Sequence, residues 1–519
     1  MTRGTGHRFV WPVFIGQVLS WLSTAGHRPW RKATKPDGLS YGLHYVLFLS
    51  LSCFGADLGH SIDVIVDTHA AHANIGIQVL DLATGKALYS RDENRFFLPA
   101  SNMKLLTTGL ALTKLGPQYR FETEIFEEAS GDLALVGSGD PSLSGRVYPY
   151  NPSAPAAPPL HAIEELAEQA VANGLQRVRG NIVGDDRLYP WAPYPPAWTQ
   201  DDVLKESGAP VSALSVSDNF IAVTIAGGDK PGDLATLALS PSLEYFSIDN
   251  RILTVAGKGE PLIRISRAPG SRQLLLTGTF PITSSNVREL IALDDPALYA
   301  ACALYEALTR RGVVVLGHPV ARHRAVGDAY EPPTGVILAT RTSPPLTELL
   351  QMTDKVSENL HAELMLREVA RVGGRSGTRA ATIENGLASL NTFLADAGAS
   401  ARDSRLDDGS GLSRNAQVTP KLVTQLLSYM FHSPNHEDWI AMLPVGGEDG
   451  TLGRRMCCST DAHAIHAKTG TLARAIALSG YAESKTRGWL AFSILVNDFA
   501  APAAEIQAWI DKIALTLVE

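Results

Sequence analysis

From Asn74 to Leu82 (NIGIQVLDL) apolar and polar positions alternate, a turn with Gly85 intervenes, and the pattern resumes at Ala87 to Ser90, which predicts a β-hairpin. Behind Pro99, Ala100 and Ser101, the segment carrying Met103, Leu105, Leu106, Leu110, Ala111 and Leu112 is apolar on most sides, the pattern of a helix buried in a core. At the far end of the chain, Arg474 to Tyr481 and Trp489 to Val496 read as strands, and Ala503 to Leu517 has the 3.6-residue period of a closing helix. Elements from both chain ends therefore suit one α/β sandwich with an insert between them.

The insert begins near Arg120 and has a different texture. Proline-rich Tyr148 to Pro159 is followed by a helical pattern at Leu160 to Ala172, then by short β-like pieces from Arg177 to about Thr283. Pro296 to Arg311 reads as a helix with its proline in the first turn, Gly312 to Val320 as a strand, and Pro344 to Val372 as helical. No fixed-period repeat interrupts this order, which excludes a solenoid or propeller.

Charge changes the picture at the N-terminus. Residues 1–60 hold six Lys/Arg and two acids, so the rest of a chain of formal charge −8 is more acidic than the whole. Arg31, Lys32 and Lys35 precede the apolar stretch Leu43 to Phe54, which is followed by Gly55 and Ala56. That order predicts an export signal or anchor over residues 1–60 and a periplasmic protein, with the cleavage site, the true start and weak membrane association left open. The stretch is shorter than the ~20 apolar residues of a spanning helix. No basic block occurs, so nucleic acid is not an expected partner. Beyond Cys53 only Cys302, Cys457 and Cys458 remain, too few for a disulfide framework or a cysteine zinc site; free thiols or one bridge to Cys302 are both open.

Three short motifs carry chemistry. Ser101 lies three residues before Lys104, and positions i and i+3 of a helix share a face, so the amine can reach the hydroxyl. A lysine among leucines is desolvated, which lowers its pKa and suits it to act as a base. Ser357, Glu358 and Asn359 follow 256 residues downstream, where a short loop between two helical pieces can present a hydroxyl and an amide to a cleft. Lys468, Thr469, Gly470 and Thr471 form the third, just before the strand pattern Leu472 to Tyr481; a cation and hydroxyl at a strand edge suit a carboxylate, and Gly470 lets an extended peptide lie close. His463 and His466 lack further metal-ligand partners in sequence, and neither a metal nor another cofactor is expected.

Ser-x-x-Lys, Ser-x-Asn and Lys-Thr-Gly, in this order, are the motif set of penicillin-binding proteins and class A β-lactamases, with Glu358 where the middle motif has Asp. With its long gap between the first two motifs, the chain resembles the low-molecular-mass class C penicillin-binding proteins, the D-alanyl-D-alanine carboxypeptidase/endopeptidase family. The likeness extends from about Asn74 to the C-terminus and includes GSGDPSL (Gly137 to Leu143), DGSGLSR (Asp408 to Arg414) and GGEDGTL (Gly446 to Leu452).

The resemblance implies an α/β fold: a discontinuous penicillin-binding/β-lactamase-like serine transpeptidase domain (residues 61–122 and 336–519) with two inserted, mostly β domains, one at 123–211 and 286–335, the other at 212–285. It implies a serine DD-peptidase of peptidoglycan peptides, inhibited covalently by β-lactams. Ser101 would be the nucleophile and Lys104 its base. Ser357 would relay a proton in the field of Lys468, Asn359 would hold the substrate amide, and Thr469 its carboxylate. The backbone N–H groups of Ser101 and Thr471 would form the oxyanion hole. Asp202 and Arg414 match the acid and arginine that grip the amino and carboxyl ends of diaminopimelate. A noncatalytic peptidoglycan-binding scaffold, and a serine esterase or β-lactamase on the same fold, are the alternatives; homodimerisation is left open.

Overall fold

A computed structural model describes residues 58–69, 73–373, 381–400 and 402–519. The expected export segment, with its apolar stretch Leu43 to Phe54, lies outside the described residues. Among the described residues, no helix is long and apolar enough to cross a membrane.

Both chain ends contribute to one antiparallel five-stranded sheet, in the order Ile465–Leu472, Ala475–Ser484, Gly488–Asn497, Asn74–Asp81 and Ala87–Arg91. The period of two sorts its side chains. Ile476, Leu478, Ile494 and Val496 face the helices Leu58–His69 and Ala503–Thr516, whereas Ala477, Tyr481, Ala491 and Leu495 join a core with Met103–Leu115 and Pro420–Phe431. A central strand covered on both faces reads as a continuous apolar run, as Trp489 to Val496 does.

The predicted buried helix is Met103–Leu115, in which every residue from Met103 to Leu112 is buried, Lys104 included. It lies against Asn359–Gly373 and Leu346–Lys355. The helical stretch from Pro344 to Val372 consists of these two pieces with the expected short loop between them: Ser357 there has a left-handed φ of 64°, and the Glu358 N–H closes the bend onto Thr353 O at 3.0 Å.

Residues 122–342 carry their own sheets. A five-stranded mixed sheet runs Pro319–Arg322, Ile182–Asp185, Leu133–Val136, Glu122–Glu127 and Val336–Thr342, with the helices His161–Ala172 and Pro296–Arg310 packed on it. Pro296 occupies the first turn of its helix and Asp295 caps it, accepting from Leu298 N at 2.9 Å. The expected strand Gly312 to Val320 is instead two short ones, Val314–Val315 and Pro319–Arg322, pairing with different partners; between them Gly317 passes so close to the Gly180 carbonyl that a side chain would collide. Two three-stranded sheets complete the segment, one of Leu262–Ser266, Gln273–Pro281 and Ser247–Val255, the other of Val287–Ala292, Phe220–Ala226 and Thr236–Ser240.

Candidate active site

Ser101 lies in a single 3₁₀ turn, Ala100–Asn102, that leads directly into the helix Met103–Leu115. The turn is held against the edge strand Ile465–Leu472, where Asn102 Nδ2 donates to Lys468 O at 2.8 Å. Two glycines permit this approach. A Cβ on Gly470 would lie 2.7 Å from Pro99 O and 3.1 Å from Ser101 N, and one on Gly411, whose φ is +81°, would lie 1.9 Å from Ala100 O. Ala100 itself adopts φ 47° and Ser357 φ 64°, both in the left-handed region that non-glycine residues avoid. Such strain at two hydroxyl-bearing turns is retained where geometry matters more than local stability.

The lysines are fully buried. Lys104 Nζ lies 3.0 Å from Ser101 Oγ, 2.5 Å from Asn359 Oδ1 and 2.9 Å from Ser410 O. The three oxygens satisfy an ammonium's three donors, and equally a neutral amine with two N–H donors and a lone pair that accepts from the hydroxyl. Burial pushes the Lys104 amine down to about 8, against the pull of Asp408 and other carboxylates. Lys468 Nζ donates to Ser357 Oγ at 2.9 Å and to Thr469 O at 3.0 Å. Burial and the neighbouring charge of Lys104 lower it to about 7. The two amines repel each other's protons in a dry site.

Asn359 spans the cleft wall, its Nδ2 donating to Ser207 O at 2.7 Å. Both ends of its amide are thus engaged by the protein, a detail that motif reading does not supply. Thr469 Oγ1 donates to Thr451 Oγ1 at 2.7 Å. Lys468 to Thr471 lie within the edge strand rather than just before a strand, because Ile465 to Leu472 pairs residue for residue with Ala475 to Ala482. An edge strand leaves one side of its ladder open to an extended peptide.

Asp202 and Arg414 meet in a bidentate pair, 2.6 and 3.0 Å, with Arg414 half exposed and Asp202 buried. Asp202 also accepts from Thr199 N and Oγ1, and Arg414 and Thr199 outweigh its burial and lower its pKa. Glu358 bonds Arg146, which also holds Asp218 at 2.9 Å; Asp218 in turn meets His361 Nε2 at 3.2 Å. Arg146, Asp218, Thr451 and Ser410 escaped sequence reading. The Ser410 role could have been sought in DGSGLSR, since its two glycines mark a backbone forced close to something; the others carry no local signal.

Cys302 is buried, Cys457 and Cys458 are exposed with sulfurs 3.8 Å apart, and all three are free thiols, so the bridge to Cys302 is not formed. No group of three or more His, Cys, Asp or Glu side chains that could hold a metal ion occurs among the described residues.

The profile of the D-Ala-D-Ala carboxypeptidase 3 (S13) family matches residues 58–517. A D-alanyl-D-alanine carboxypeptidase from an Actinomadura species is 34% identical over 484 residues, spanning 89% of this chain and 85% of that protein. The crystal structure of penicillin binding protein 4 (dacB) from Haemophilus influenzae superposes with a TM-score of 0.75 at 20% identity, over 87% of this chain and 98% of that one. The same Haemophilus protein complexed with a novel β-lactam superposes at 0.71, also at 20% identity, over 88% and 99% of the two chains.

Proposed function

The chain belongs to the D-Ala-D-Ala carboxypeptidase 3 (S13) family and is a serine-type DD-peptidase, and on that premise we propose that Ser101 is its nucleophile and the Lys104–Lys468 pair its proton store. The reacting form of the pair has its proton on Lys468 and Lys104 neutral, the less populated arrangement given values of about 7 and about 8; in it Ser101 Oγ attacks the carbonyl carbon of a D-Ala-D-Xaa bond while its proton passes to Lys104, 3.0 Å away. The developing oxyanion lies between the N–H groups of Ser101 and Thr471, each such donor being worth about 3–4 kcal/mol. Lys468, through the Ser357 hydroxyl, delivers a proton to the leaving amine, and the C–N bond breaks to leave an acyl ester on Ser101. Water then cleaves that ester and returns the serine.

The observation that carries this reading is the threefold contact of Lys104 Nζ with one hydroxyl and two oxygen acceptors. The substrate is the D-Ala-bearing peptide of peptidoglycan, cut at stem ends or cross-links. Thr469 receives its carboxylate and the Asp202–Arg414 pair sorts the diaminopimelate side chain. β-Lactams, which present a strained amide to the same serine, are covalent inhibitors. Work on peptidoglycan requires a place beyond the inner membrane, in keeping with the periplasmic expectation.

A fluorescent penicillin should label the native protein on the peptide containing Ser101, with Ser101→Ala unlabelled and D-alanine release from a stem peptide lost. Label retained by Ser101→Ala overturns the assignment. Muropeptide binding without any D-alanine release from the native protein would instead favour a noncatalytic scaffold.

A further inference from the structure

Asp354 sits one turn before Ser357, near the end of the helix Leu346–Lys355. It is fully buried, and neither carboxylate oxygen accepts a hydrogen bond. Its neighbour Lys355 has an anion of its own, Asp449 Oδ2 at 2.6 Å. Lys104 and Lys468 do not: among the described residues, each Nζ contacts only hydroxyl, amide or backbone oxygens. The charges that act on Asp354 are Lys468 from the edge strand, Lys104 from the helix Met103–Leu115 and Lys355 from its own helix; the Thr108 hydroxyl also acts on it, but donates its hydrogen bond to Lys104 O at 2.7 Å.

Other acids act on Lys104, yet each is already engaged. Glu358 bonds Arg146 and Glu363 pairs with Arg367. Asp408 accepts from the neutral donors Trp198 Nε1 and the N–H groups of Gly411 and Ser413, so it keeps its charge and pulls on Lys104, but it is not among the charges acting on Lys468. Asp354 alone acts on both catalytic lysines and has no partner of its own. With two protons on the lysine pair the triad Lys104–Lys468–Asp354 would carry a net positive charge, with none a net negative one. With a single proton it is neutral, the state that costs least to hold away from water.

We propose that Asp354 is a positioning residue that touches neither substrate nor reacting atoms and supplies the negative charge, shared by both lysines, that keeps a single proton on the Lys104–Lys468 pair. The inference rests on the mechanism above, in which one amine must be neutral to accept the Ser101 proton and the other cationic to supply the leaving amine. The pair then begins and ends the acylation step holding one proton. Burial raises Asp354 to about 6, with Lys468 opposing, so its carboxylate is ionised at neutral and alkaline pH.

The test is the pH profile of the second-order rate of acylation by a fluorescent penicillin, from pH 5 to 10. The native protein should give a bell. In Asp354→Asn, an isosteric change, both limbs should move to lower pH by about one unit or more, so that the rate above the alkaline limb falls roughly tenfold relative to native. Asp354→Glu, which keeps the charge, should keep the limbs. A lower bell with unmoved limbs in the Asn variant, as a merely structural role predicts, overturns the proposal, as does an equal shift in the Glu variant. Should the Asn variant not fold, the ¹³Cγ resonance of Asp354 in the native protein decides: an ionised carboxylate at pH 8 supports the proposal and a protonated one overturns it. Failure of the underlying reading shows separately, as label retained by Ser101→Ala.

Discussion

The cleft lysines and His323 are both cationic side chains drawn out of water, and their surroundings push them in opposite directions. Lys104 and Lys468 are fully buried among neutral oxygens, so desolvation dominates and lowers both. His323, in the 122–342 region, is also penalised by burial, but its Nδ1 lies 2.9 Å from Asp186 and its Nε2 3.3 Å from Asp295, and the two carboxylates raise it to about 10. Trp191 stacks on its ring at 4.0 Å between centroids. Burial alone makes a base; burial with close carboxylates makes a permanent cation that ties Asp295, the cap of the helix Pro296–Arg310, to Asp186 beside the strand Ile182–Asp185.

The contrast predicts that changes at the two places separate catalysis from stability. The largest effect should come from Lys104→Met, which keeps bulk and removes the amine: acylation by fluorescent penicillin should fall about 100- to 10,000-fold while circular dichroism shows the fold retained. Acylation within tenfold of native would mean that another group takes the Ser101 proton.

His323→Ala should do the reverse. It leaves Asp186 and Asp295 without their cation in a site still about a quarter open to solvent, and should cost about 1–2 kcal/mol in denaturant unfolding with the acylation rate unchanged. The pH dependence follows from the raised pKa. A histidine bound more tightly as a cation in the folded state contributes its full stability below the ordinary value of about 6.5, and loses it as pH rises through about 10. The stability gap between native protein and variant should therefore narrow from pH 7 to pH 10; a constant gap would mean that the histidine acts by packing on Trp191 alone.

The smallest effect should appear at Arg414→Ala. Half exposed, its pairing with Asp202 should be worth under about 1 kcal/mol of stability. Its removal should instead raise KM for diaminopimelate-bearing peptides about tenfold and leave β-lactam acylation unchanged. Equal losses on peptides with and without diaminopimelate would detach the pair from substrate choice.

Much of the cleft was legible beforehand because its parts are local. Ser101 and Lys104 share a helical face through a spacing of three, and Lys468 to Thr471 need only a strand to present them. The loop at Ser357 was legible between two helical pieces, but its left-handed backbone was not, since nothing in MTDKVSEN marks a left-handed serine; the bend is held by the Glu358 N–H on Thr353 O and by the bond from Lys468 to the hydroxyl. Likewise the lysine–threonine motif reads as a turn before a strand until its pairing with Ala475 to Ala482 places it inside one.

By itself, the sequence determined which chemical groups are available and which segments are helix or strand, because apolar period and short motif spacing are properties of consecutive residues. Only the tertiary structure decided their electrical state. Whether Lys104 is a base or a surface cation depends on Asn359 and Ser410, more than 250 residues away, reaching the amine and on water being kept out. Glu358, inside the motif, is paired with Arg146, while Asp354, just before it, is buried without a hydrogen-bond partner, a difference that only the fold creates. Desolvation and Coulomb forces act through space, and the distances that set them exist only once the chain has folded.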